Sequence, residues 1–333
     1  MTEFDDSDHA KLTSGAPHRR SYGDFFSKYG LIIAWVALLG IFTAFRPTTF
    51  FTFTNLAINL NTKAVLVILV LAVLPSLAAG LYDMSIAGAM GLSYVLMGYL
   101  NVVLGWPVLA AIAIALASGV VVGLVNSFLI IRMGINSLIV TLGMGTLLVG
   151  VALGINGRAV NGLSDALVDF FRFSIGGIQM VFVIAFLLTV VLWYVFAHTP
   201  VGRYLFVVGA GPEVARLSGL RVKSIQSAAL MTASLGAAFA GIALAGTQNS
   251  VDPNSASKLL LPAFAAAFLG STAIVPGRFN AWGAFIAVYF LATGITGLQF
   301  LGLSGWIENV FYGGSLVLAV LLSTVARRRV ATT

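Results

Sequence analysis

Pro107–Ile131 reads PVLAAIAIALASGVVVGLVNSFLII, twenty-five residues without one charge. Crossing the hydrocarbon layer takes about 20 apolar residues of helix, so this stretch is long enough to span. Its apolar residues run on without alternation, which indicates helix rather than strand. Similar runs recur on both sides. The sequence predicts ten spans, at 29–45, 64–81, 84–104, 107–131, 137–155, 178–197, 226–246, 259–275, 281–301 and 307–325. The weakest divisions are Leu81–Met84, Gly105–Pro107 and Val275–Ala281, and merging one pair leaves nine. The expected fold is all-α, a polytopic membrane protein.

Composition agrees. Charged residues make up 9% of the chain and the mean hydropathy is +1.01, against about 25% charged in soluble domains. Such a chain cannot furnish a polar surface, whereas lipid can cover an apolar one. In a soluble protein the net charge of +7 would suggest nucleic acid; here no nucleic-acid partner is expected, because the charges follow topology. With the N-terminus inside and ten spans alternating, thirteen of the eighteen cations fall inside, among them Lys11, Arg19, Arg20, Arg132, Arg203, Arg278 and Arg327–Arg329. Arg46, Lys63, Arg158, Arg172 and Lys258 fall outside. That bias places both termini in the cytoplasm. The expected layout is a cytoplasmic tail over 1–28, a membrane domain over 29–326 with a cytoplasmic loop at 198–225, and a basic tail over 327–333. No secretory signal is read in residues 1–28. An odd half of five spans would also permit an inverted repeat, although no residue-level repeat is visible.

Small residues recur at helical spacing in Gly119–Gly123, Gly150–Gly154, Ala229–Ala233 and Gly236–Ala240. Such pairs let helix backbones approach closely. The polar loop Ala197–Gln226 is the most informative interruption. Within it, Pro212–Gly219 carries the marks of a short helix: Pro212 at the first position and Gly219 at the stop. Glu213 and Arg216 sit at the ends that suit the helix dipole. Val214 and Leu217, three apart, share a face. So short a helix is marginal in water, so this face needs a partner, either the chain's own membrane surface or a cytoplasmic protein.

Several ordered segments resemble one family. Thr199-Pro200-Val201-Gly202-Arg203-Tyr204, then Gly209 and Ala215-Arg216-Leu217-Ser218-Gly219, resemble the coupling loop of ribose-type ABC sugar importer permeases. Phe50–Leu56, Ala79–Gly88, Asn136–Gly143 and Phe268–Thr272 resemble further signatures of that family, over about Asn55–Leu322. Two departures stand out. Tyr82 is one residue more than the Asp83 segment usually holds, and Ala273–Arg278 replaces a Gly-rich turn. The resemblance implies a permease of the bacterial cytoplasmic (inner) membrane that imports a sugar-like solute. It also implies an ABC ATPase subunit, an extracytoplasmic solute-binding protein and a second permease chain, as homodimer or heterodimer. Glu213, Val214, Arg216, Leu217 and Gly219 would then couple to the ATPase.

No GxxxxGK[ST] pattern occurs, so ATP hydrolysis is expected only in a separate subunit. No HExxH, no cysteine and no paired-carboxylate pattern points to catalysis or a metal. No cofactor is expected. Asp83 and Glu308 are the acidic residues at membrane depth, both near expected span ends; Glu308 reads as interfacial, and Asp83 either as a helix cap through Met84 and Ser85 or as a solute or gating group. Asn59, Asn61, Gln248, Asn249 and Trp306 are candidates to contact a sugar, and Asp83, Ser85, Asn59 and Gln248 are candidates for gating or for the solute path. Trp106 and Trp306 also read as interfacial anchors, and His198 as a solvated loop residue. The scarcity of buried acids argues against a proton-coupled carrier. An autonomous carrier or facilitator for a small neutral solute is the competing function, with a non-transporting scaffold behind it.

Overall fold

The computed structural model describes residues 22–303 and 305–331, with side chains described over 28–303 and 305–321. The expected N-terminal tail lies outside the described residues as far as 21, and Lys11, Arg19 and Arg20 with it; the side chains of Arg327–Arg329 also lie outside. The helices are α1 (Tyr22–Phe45), α2 (Phe53–Ala78), α3 (Ile86–Gly98), α4 (Val108–Ser127), α5 (Ser137–Ile155), α6 (Asp165–Arg172), α7 (Met180–His198), α8 (Pro200–Ala210), α9 (Pro212–Leu217), α10 (Val222–Gln248), α11 (Leu260–Gly270), α12 (Ala281–Phe300) and α13 (Trp306–Ala331). α3 and α4 each continue into a wider π turn, Tyr99–Val103 and Phe128–Arg132. Strand is confined to two small antiparallel pairs, Val160–Asn161 with Ser250–Val251 and Ser174–Ile175 with Ile178–Gln179.

Among the described residues eight helices are long and apolar enough to cross a membrane, and Ser257–Gly270 and Trp306–Leu321 are shorter apolar helices. Each of the ten expected segments overlaps one of these helices, eight of them long enough to span and two shorter. The three weak divisions are real breaks, at Ala79–Ser85, Leu104–Pro107 and Ser271–Asn280. Side-chain caps set several starts. Thr52 Oγ1 accepts from Asn55 N–H at 3.2 Å, Asn136 Oδ1 from Leu138 N–H at 2.9 Å, and Asn280 Oδ1 from Gly283 N–H at 2.7 Å. Each satisfies a backbone donor that the helix itself leaves orphaned.

The largest difference from expectation is at α2, which begins at Phe53 rather than 64. Polar residues hid its first turns. The Asn59 amide donates to Asn55 O at 3.0 Å and accepts from Thr296 Oγ1 at 2.9 Å. Asn61 bridges to Gly177 O and Gln179 N–H, both at 2.9 Å. Polar helix is tolerated where neighbouring elements satisfy it.

α10 is the central helix, packed on α2, α3 and α4. Its buried side is almost wholly Ala, Gly and Ser, which brings backbones close. A Cβ at Gly119 would stand 2.6 Å from the Ala238 Cβ, and one at Gly123 2.8 Å from the Met231 Cα. The Gly119–Gly123 pair is therefore packing, α4 against α10. Ala233 and Ala240 are fully buried, and Gly236 meets Ala72 of α2. Gly150 and Gly154 face open space instead.

Candidate coupling surface and solute cavity

The polar loop folds into two short helices. Thr199 caps α8, its hydroxyl accepting from Gly202 N–H at 3.5 Å, with Pro200 in the first turn. Gly202, Leu205 and Val208 form the buried side of α8, while Val201, Tyr204 and Val207 are exposed. Gly202 lies against the backbone of Val195 and Phe196. α8 was missed in the sequence, although Thr199-Pro200 and the buried spacing were its signals.

Gly211 joins α8 to α9, which matches the expected short helix. Leu220 N–H reaches Ala215 O at 3.1 Å and Gly219 N–H reaches Arg216 O at 3.0 Å, with Gly219 at φ +82°. That is a Schellman closure, and the left-handed position favours glycine. Arg216 Nη2 donates to Glu213 Oε2 at 2.7 Å on the helix surface. An exposed pair of this kind stabilises little. Ala215 is fully buried and seats the helix, whereas Val214 is 67% and Leu217 83% exposed. The chain's own spans do not cover that apolar face. Arg203, Arg221 and Lys223 of the same loop are also exposed.

Inward, α8 presses on the turn between α2 and α3. A Cβ at Gly209 would collide with the Ala78 carbonyl, and one at Gly80 would stand 3.3 Å from Gly209 itself. The same turn is tied to other helices. Met84 N–H donates to Thr141 Oγ1 of α5 at 3.0 Å, and the Gln226 amide of α10 reaches Ala79 O at 3.5 Å. Tyr82 stacks on Phe268 of α11, ring centres 6.3 Å apart and 11° from parallel.

Asp83 and Ser85 are fully buried in this turn. Asp83 Oδ1 accepts from Ser85 N–H at 3.0 Å and from Ser85 Oγ–H at 2.6 Å. Ser85 stands at the N-cap position of α3, yet its hydroxyl makes no cap bond; the carboxyl takes it. Burial pushes Asp83 up to about 6, against the lowering effect of the two Ser85 hydrogen bonds. Asn126 of α4 completes the group, its amide donating to Ser85 Oγ at 2.8 Å. Sequence reading missed Asn126, one amide in a long apolar run.

At the opposite end of α10 from the coupling loop lies a cavity of about 580 Å3. α2, α10, α11 and α13 surround it, and its polar lining includes Thr62, Lys63, Gln248, Lys258 and Glu308. Such a volume falls in the usual range for small-molecule sites. Gln248 Oε1 accepts from Tyr94 Oη–H at 3.0 Å, and Glu308 Oε1 from the Gln299 amide at 2.7 Å. Of the four residues placed on the solute path, Gln248 lines the cavity. Asn59 is engaged with Asn55 and Thr296, and Asp83 and Ser85 lie at the coupling end. Asn249 ends α10 at φ 52° and accepts from Leu163 N–H at 2.9 Å. Trp106 and Trp306 are exposed, and His198 stacks on Tyr194 with ring centres 5.4 Å apart.

A family profile described as "Branched-chain amino acid transport system / permease component" matches residues 55–320. Similar curated proteins include the Autoinducer 2 import system permease protein LsrD of Photorhabdus luminescens, 27% identical over 90% of this chain and 91% of the relative. LsrD of Klebsiella pneumoniae is 26% identical over 75% of this chain and 77% of the relative, and LsrD of Salmonella typhimurium 29% identical over 76% and 78%. No solved structure matches.

Proposed function

Since the chain belongs to the branched-chain amino acid transport system / permease component family, we propose that it is the membrane-spanning subunit of an ATP-driven importer for a sugar-like solute. It crosses the bacterial cytoplasmic membrane ten times with both termini inside, and pairs with a second permease chain. A separate ABC ATPase docks on α8 and α9, and an extracytoplasmic binding protein delivers solute to the cavity at the far end of α10. One observation carries this reading. Leu217 and Val214 project from a closed, glycine-stopped helix that the chain itself leaves bare.

The mechanism follows from the contacts. ATP binding draws the two ATPase halves together beneath the permease pair. α8 and α9 move with them as a lever. Gly209 bears directly on Ala78 and Gly80, so the displacement enters the α2–α3 turn without an intervening side chain. That turn is bonded to α5 and α10, and the spans rock between outward-open and inward-open arrangements. ATP must bind one arrangement better than the other for this to proceed. The cavity between Lys63, Gln248 and Glu308 receives the solute in the outward arrangement. Its amide, hydroxyl, ammonium and carboxylate groups can hydrogen-bond an oxygen-rich molecule.

The test is uptake into proteoliposomes made with the permease and a co-expressed ABC ATPase, screened over radiolabelled ribose, xylose, glucose and ribitol. ATP-dependent accumulation of at least one supports the proposal. Uptake that needs no ATPase, or an ATPase that does not co-purify, would point to an autonomous carrier and end it.

A further inference from the structure

The cluster at the α2–α3 turn is short of one hydrogen. Asp83, Ser85 and Asn126 are all fully buried. Ser85 Oγ donates to Asp83 Oδ1 and accepts from the Asn126 amide. Two oxygens remain without any donor, Asp83 Oδ2 and Asn126 Oδ1. An ionised carboxylate and an amide oxygen are both acceptors only, so neither can serve the other. Each bare buried acceptor loses its hydration for no return. A buried carboxylate without a counter-ion is costlier still.

Among the described residues no charged group acts on Asp83. The turn meets Asn126 of α4, Thr141 and Gly145 of α5, Gln226 and Leu230 of α10, Phe268 of α11, the Gly209 backbone of α8, Ile130 and Val140, and none of these is charged or titratable. The only ion pair among the described residues is Arg216 with Glu213, out on α9.

We propose that Asp83 is held as the neutral acid and donates its Oδ2 hydrogen to Asn126 Oδ1. The three side chains then close a ring. Asp83 Oδ2–H donates to Asn126 Oδ1, Asn126 Nδ2–H to Ser85 Oγ, and Ser85 Oγ–H to Asp83 Oδ1. A single proton turns both orphaned acceptors into one hydrogen bond. Burial already raises the Asp83 pKa from 3.8 to about 6, and a bond made only by the neutral form raises it further. Asp83 is thus a positioning residue, which pins the turn to α4 beside the point where α8 presses on it. Its part in transport rests on the coupling reading above; its protonation does not.

The experiment uses the full chain in lipid and needs no solute. Infrared spectra at pH 7.5 of protein labelled with 13C at the aspartate carboxyl should contain a protonated-carboxyl C=O band that shifts in D2O. Asp83→Asn should abolish that band and hold the melting temperature within about 2 °C, since an amide can also donate to Asn126 Oδ1, while Asp83→Ala should lower it by about 5 °C or more. The pH dependence gives a second reading. A carboxyl whose folded pKa is raised contributes stability in full below the unfolded value and loses it as pH rises through the folded value. The wild-type protein should therefore lose stability relative to Asp83→Asn from about pH 4 upward. Absence of the labelled band at pH 7.5 overturns the proposal. So does an Asp83→Asn protein that melts as low as Asp83→Ala, or one that fails to insert.

Discussion

Leu217→Ala removes three carbons from a side chain that is 83% exposed in the isolated chain. Each buried methylene is worth about 0.8 kcal/mol. If the ATPase covers this residue, the loss is about 2 kcal/mol, roughly 30-fold in docking affinity. The permease itself should hardly notice, because surface substitutions usually stay within about 0.5 kcal/mol. Two residues earlier the opposite holds. Ala215 is fully buried, so Ala215→Asp inserts an unpaired charge beneath α9 and should destabilise the chain directly. The pair separates a docking role from a folding role on one helix. The assay is titration of nanodisc-embedded permease with the purified ABC ATPase, alongside a thermal melt of the permease alone. Leu217→Ala should weaken binding with an unchanged melt. Unchanged affinity in Leu217→Ala, repeated with the harsher Leu217→Asp, would refute the assignment of α9 as the docking element.

Three further outcomes follow from the packing. Gly209→Ala drives a methyl into the Ala78 carbonyl; overpacking of this kind costs about 1–3 kcal/mol, and ATPase stimulation by the permease should fall along with the melting temperature. Asn280→Ala removes the α12 cap at Gly283 and the amide bonds to Gly270 O and Ala273 O at 3.2 and 3.0 Å, which should cost about 1–2 kcal/mol in a thermal melt. Gly123→Val should force α4 from the Met231 backbone of α10 and lower the melting temperature, whereas Gly154→Val, facing open space, should leave the monomer's melt unchanged.

The membrane fold was legible because its signal is cumulative. Twenty apolar residues in a row admit few readings, and Asn136 before Ser137 marks the start of α5 as the structure has it. Legibility failed where polar residues occur inside a helix. The first turns of α2 hold Asn55, Asn59, Asn61, Thr62 and Lys63, and a hydropathy reading must reject them. Asn55 and Thr62 bond locally, to Phe50 O and Ile58 O, but Asn59 and Asn61 also reach Thr296, Gly177 and Gln179, more than a hundred residues away. Only tertiary structure supplies those bonds, so local sequence could not.

The site divides along the same line. α9 depends on neighbours in sequence, Pro212, Glu213, Arg216 and Gly219, and so could be read with its exposed face. The α2–α3 turn beneath α8 depends on contacts between distant segments. Gly80 and Gly209 are 129 positions apart in the chain, and each is unremarkable in a sequence with 36 glycines. Their meeting lets α8 lie directly on the turn, since any side chain at 209 would hold α8 away from Ala78. Asn126 carries the same lesson. Alone it is one amide in an apolar span, where burial without partners would be penalised. Beside Ser85 and Asp83 it becomes the acceptor that a neutral carboxyl needs. A polar group deep in an apolar run is therefore a question about its partner, and here the partner belongs to the turn on which α8 presses.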